Sequence, residues 1–75
     1  MKLFKIWQTE NNGYDTYDSA VVAAKSEEDA VNINPAHNPN FYHSWASPDK
    51  VRVEYLGTAK PGTKRGVICA SFNTG

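Results

Sequence analysis

Apolar and polar positions alternate with a period of two in several stretches of this chain, and one short stretch follows helical spacing. Over Lys2–Gln8 the alternation places Leu3, Lys5 and Trp7 on one face and Phe4 and Ile6 on the other. Both faces are mostly apolar, which predicts a strand near the middle of a small sheet. Thr9–Asp18 is a polar connection around Asn12-Gly13, a dipeptide that favours positive φ; it suits a hairpin or a structured loop. Ser19–Lys25 reads as a second strand with β-branched residues at its centre. Ser26-Glu27-Glu28-Asp29 then nearly matches a capping box, with Asp replacing Glu at its last position. Acidic residues in that first turn suit the positive end of a helix dipole. The helix is predicted to run through Ala30 and Ile33 and to stop before Pro35.

Residues 35–50 form the least regular part, with three of the four prolines and the aromatic residues Phe41, Tyr42 and Trp45. Val51–Leu56 alternates again, with Val51, Val53 and Tyr55 facing in and Arg52 and Glu54 facing out. Pro61-Gly62 and Arg65-Gly66 mark a turn region. Val67–Phe72 is apolar on both faces and reads as a second central strand, in a hairpin with the strand before it. The expected fold is therefore α+β, one domain over residues 1–75. Its order is β-β-α-β-β, with about four mainly antiparallel strands and one short helix on one face.

Composition narrows the function. A chain of 75 residues with 40% hydrophobic content can build only a small core, so self-association into a homo-oligomer is expected. Eight basic and eight acidic residues give a net charge of +0, which argues against general nucleic-acid binding, since that requires a basic footprint. A single cysteine precludes an internal disulfide and fits a reducing, cytoplasmic compartment. The N-terminal stretch does not read as a signal peptide, and no apolar run is long enough for a membrane span.

Candidate chemistry is sparse. Cys69 with His37 or His43 could in principle make a nucleophile and base, but Cys69 inside an apolar strand reads first as a small buried thiol. His37, His43, Cys69 and Asp49 lack metal-ligand spacing, and Asp15 and Asp18 lack the rest of a calcium loop. No enzyme activity, cofactor or metal is expected. Lys60, Lys64 and Arg65 make a local positive cluster, read either as a solvated turn or as a contact for phosphate or a partner's carboxylate. Tyr14, Tyr17, Tyr42 and Trp45 sit among polar loop residues, and could either form a recognition surface or cap a thin core.

Several phrases in the chain carry a resemblance. Asn12-Gly13-Tyr14-Asp15-Thr16-Tyr17-Asp18, the following SAVVAAKSEEDA, VRVEYLGTA and RGVICASFNTG resemble a family of small proteins of tailed phages and prophages. The resemblance implies a phage accessory protein that counters host defence by stoichiometric binding in the cytoplasm of an infected bacterium. Small phage proteins of this kind sequester an immune signalling nucleotide as oligomeric sponges, the reading slightly favoured here, or alternatively block a host defence protein directly. If the shared phrases mark a site, it falls on Asn12, Gly13, Tyr14, Asp15, Tyr17, Asp18 and Asn73, with Gly13 serving backbone shape. For a small anionic nucleotide-like ligand, Tyr14, Tyr17 or Trp45 would stack on a base and Arg52, Lys64 or Arg65 would meet phosphates. For a host defence protein, the aromatic loop from Phe41 to Trp45 would dock as an inhibitor's hot spot. A structural or virion-associated role is a further alternative.

Overall fold

The computed structural model describes residues 1–9, 16–35, 45–46 and 48–73. The chain folds as a small α+β domain: a four-stranded antiparallel sheet with one short helix on one face. The strands are β1 (Lys2–Trp7), β2 (Thr16–Ala24), β3 (Arg52–Thr58) and β4 (Gly66–Asn73), in the spatial order β3-β1-β2-β4. The helix α1 (Glu27–Val31) follows β2, and a single 3-10 turn, Pro48–Lys50, precedes β3.

β1 and β2 form an antiparallel hairpin, with Lys2 opposite Ala24 and Trp7 opposite Ser19. Gln8 closes its far end: the backbone N–H donates to the Asp18 carbonyl at 3.2 Å, and Nε2 donates to the Tyr17 carbonyl at 2.8 Å. Gln8 is buried, so both polar contacts satisfy groups that water cannot reach. β2 begins at Thr16, so part of the expected connection is already strand. The remaining residues 10–15, including the Asn12-Gly13 signal, lie outside the described residues.

The alternation read from β1 holds. Phe4 and Ile6 are buried and face the helix, while Leu3, Lys5 and Trp7 lie on the other face. The core joins Phe4, Ile6, Ala20, Val22 and Ala24 of the sheet to Ala30, Ile33, Trp45, Ala46 and Val51. Alanines at positions 20, 24 and 30 leave little side chain between helix and sheet, so the backbones can approach closely. Ser26 caps α1, its Oγ accepting from the Asp29 N–H at 3.1 Å. Asp29 answers by accepting from the Lys25 N–H at 3.1 Å, the shorter Asp reaching one residue further back than the capping-box partner. The helix ends at Val31 with Asn32 as its cap, so Ile33 lies two residues past the helix, contrary to expectation, though it is still buried.

The last two strands depart most from the sequence reading. β3 and β4 do not form a hairpin: β3 pairs with β1, β4 pairs with β2, and the two lie at opposite edges. Residues 59–65 cross the end of the sheet between them, a span of about 14 Å for three strand spacings, which seven residues cover easily. Three contacts fix this crossing. The Ala59 N–H donates to the Met1 carbonyl at 3.0 Å, the Thr63 N–H donates to the Lys60 carbonyl at 3.1 Å, and Arg65 Nε meets Asp29 Oδ1 at 2.7 Å. Pro61 and Gly62 occupy the centre of the Lys60–Thr63 turn, and Gly62 has φ +88°, the left-handed conformation that a type II turn needs there.

β4 is therefore an edge strand and not a central one, which leaves Ile68, Cys69, Ala70 and Ser71 exposed. The expectation of a buried Cys69 thiol is overturned for the same reason. Val51, just before β3, and Val53 on it face in as expected, but Tyr55 is 51% exposed while its ring still contacts Phe4 at 5.6 Å between centroids. The edge position strips cover from one side of the ring. A register shift against β1 also leaves Leu56 exposed.

Candidate functional site

The sheet has, among the described residues, one covered and one open face. Among the described residues α1 and the segment around Trp45 pack on the Phe4 face, and no helix packs on the other. On the open face Arg52, Trp7, Ser19 and Ser71 form a row across all four strands, and Glu54, Lys5, Val21 and Cys69 form the next row on that face. Trp7 is half-buried in the middle of the first row, with Lys5 Nζ 5.7 Å from its ring centroid, inside the range of cation–π attraction.

Residues 16–18 and 70–73 meet at this end of the sheet. Thr16 lies opposite Asn73 and Tyr17 opposite Phe72, although more than 50 residues separate each pair in sequence, as the Asp18–Ser71 separation of 53 illustrates. A register shift between Tyr17 and Ser19 makes Asp18 the extra residue of a bulge. Its carboxylate Oδ2 accepts from Ser71 Oγ at 3.3 Å, tying the two stretches side chain to side chain. Tyr17 is half-buried and packs against the core cluster, so its ring is steadied from below.

The ten sequence-predicted site residues divide into groups. Tyr17, Asp18, Asn73 and Arg52 lie at the same end of the sheet, next to the connection that carries Asn12, Tyr14 and Asp15, which are outside the described residues. Lys64 and Arg65 lie at the opposite end, before β4. Arg52 and Arg65 thus occupy opposite corners, and the fold does not bring these cations together. Arg65 is engaged with Asp29, whose carboxyl is held below its ordinary value by the Lys25 N–H first and the Arg65 guanidinium second.

Trp45 is buried at 5% exposure within the core, so it caps the core instead of offering a stacking face. Its Nε1 is buried with no hydrogen-bond partner among the described residues. Phe41, Tyr42, His37 and His43 lie outside the described residues.

Two residues outside that set, Trp7 and Lys5, lie on the same face as Arg52. The signal was present in β1, where a lysine between Leu3 and Trp7 marks that face as the wetter one. A shallow pocket of about 250 Å³, lined by Lys2, Phe4, Ser26, Glu27 and Tyr55, contains none of the ten and is smaller than the usual ligand cavity. Among the described residues no group of three or more His, Cys, Asp or Glu side chains converges as a metal site, and no helix is long and apolar enough to cross a membrane. Comparison with protein-family models, curated proteins and solved structures gave no match for this chain.

Proposed function

We propose that this chain is a non-catalytic, stoichiometric binding protein that contacts an acidic surface of a protein partner with its open sheet face. The observation that carries the reading is Trp7, half-buried on the uncovered face, with Lys5 over its ring and Arg52 directly across the strand pair. Tryptophan and arginine dominate the energetics of protein interfaces. Two cations beside one aromatic plane suit a carboxylate-bearing surface, with Glu54 at the margin setting register. Through the resemblance to small phage proteins, the partner is a host defence protein and the outcome is its inhibition.

Sequestration of a signalling nucleotide is the second reading. Arg52 and Trp7 share a row on the open face at the end of the sheet where Asp18 lies, so one cation and one aromatic plane lie together, while the Tyr17 ring packs against the core. It ranks behind because Trp45 is buried, Lys64 and Arg65 stand at the far corner, and Lys5 already covers Trp7. Native mass spectrometry of the protein purified from cells with active defence signalling separates the two. A complex with one protein at fixed stoichiometry is the expected result. A retained nucleotide-sized mass without a protein partner would replace the first reading with the second.

A further inference from the structure

We propose that β4 is a self-association edge, pairing antiparallel with the β4 of a second copy about a two-fold axis. Composition and position disagree along β4. Gly66–Asn73 contains no charged residue and reads as a strand with neighbours on both sides, yet among the described residues its one neighbouring strand is β2. Ile68 is 52% exposed, and Cys69, Ala70 and Ser71 are exposed beside it. Edge strands of monomeric proteins usually carry charges that discourage pairing. The other edge has them: β3 presents Arg52 and Glu54, with Lys50 and Lys60 exposed just outside the strand. β4 does not.

The occupant follows from charge and regularity. Two copies of one strand related by a two-fold axis in a continuous sheet run antiparallel, and a strand with no charged residue meets its own copy with no like charges opposed. The net charge of +0 adds no long-range repulsion between copies. A register shift between Val21 and Val22 places an extra β4 residue at Ile68, so the regular stretch available for pairing is residues 69–73. A strand pair of that length buries less than the roughly 1,200 Å² of a standard interface, so the dimer forms and dissociates with concentration.

The test is sedimentation velocity on the full chain over a concentration series, with Ala70→Lys and Ala70→Glu as variants. Ala70 is exposed and lies outside the row that carries Trp7 and Arg52. The wild type is expected to dimerise, each variant to weaken the dimer roughly tenfold or more, and a mixture of the two variants to restore it. A wild type that stays monomeric, a dimer indifferent to Ala70→Lys, or a mixture that fails to pair would each overturn the proposal. Should either variant fail to fold, amide hydrogen exchange of the wild type decides. Protection that rises with concentration at residues 69–73 supports the pairing, and its absence there refutes it.

Discussion

Asp29 shows how much a single short side chain can do in a domain this small. One carboxylate oxygen accepts from the Lys25 N–H at the start of α1, and the other meets Arg65, 36 residues away, at the entrance to β4. The same side chain therefore anchors the helix and fixes the crossing segment. These contacts favour the charged form and lower the Asp29 pKa below its ordinary 3.8. The unfolded chain then binds the proton more readily than the folded one, so stability rises with pH in this range. The contribution is complete above the ordinary value and is lost as pH falls through the lower, folded-state value. Urea titrations at a series of acidic pH values are expected to show the wild type losing its advantage over Asp29→Asn as the pH drops below about 4. A difference that does not change across that range would show that the carboxylate gains nothing from Lys25 and Arg65. Trp45 gives the opposite lesson at the same scale: an aromatic in a proline-rich stretch invites a recognition role, and here it is buried in the core.

At the scale of elements, β1, β2 and α1 were legible in the sequence because each carries a local signal. Alternation marks β1, a β-branched centre marks β2, and a Ser with acidic followers marks the start of α1. Strand order was not legible. Val67–Phe72 has the composition of a buried strand and follows a Pro-Gly turn, and both features point to a hairpin with β3. Position in a sheet depends on which edges are open, and β1 and β2 had already taken the centre as a hairpin, leaving one edge for each later strand. The Arg65–Asp29 pair that ties the crossing segment to α1 has no sequence signature at a separation of 36. The order β3-β1-β2-β4 can be tested through Val21, which lies directly opposite Cys69. Directly opposed strand residues lie within disulfide range. Val21→Cys under mild oxidation is expected to form an intramolecular disulfide with Cys69, read as the loss of two hydrogens by mass spectrometry of the monomer. Two free thiols persisting in the folded monomer would contradict the β2–β4 pairing.

Over the whole molecule, the fold brings residues 16–18 and 70–73, parts of the two most distinctive sequence phrases, to one end of the sheet and puts the positive turn cluster at the other. Of the ten residues named from the sequence, four lie together at one end of the sheet. Tyr17, Asp18 and Asn73 were chosen for the phrases they belong to, and the β2–β4 ladder gathers them with Arg52 at the same end. Trp7 and Lys5 were overlooked because a strand apolar on both faces suggests burial on both, whereas α1 covers only one. Lys64 and Arg65 were grouped with Arg52 by charge alone, and charge carries no information about which corner of a sheet a residue occupies.

The account stands or falls on whether the open face around Trp7 is what a partner touches. The direct measurement is quantitative capture from host lysate by the wild type, by the paired variant Lys5→Gln with Arg52→Gln, and by a control with Lys60→Gln and Lys64→Gln. Each variant removes two cations, so net charge is matched, and circular dichroism checks the fold. The account predicts one stoichiometric protein retained by the wild type and the control and lost from the Lys5/Arg52 variant. Undiminished capture by a folded Lys5/Arg52 variant would place the binding surface elsewhere and contradict the central claim.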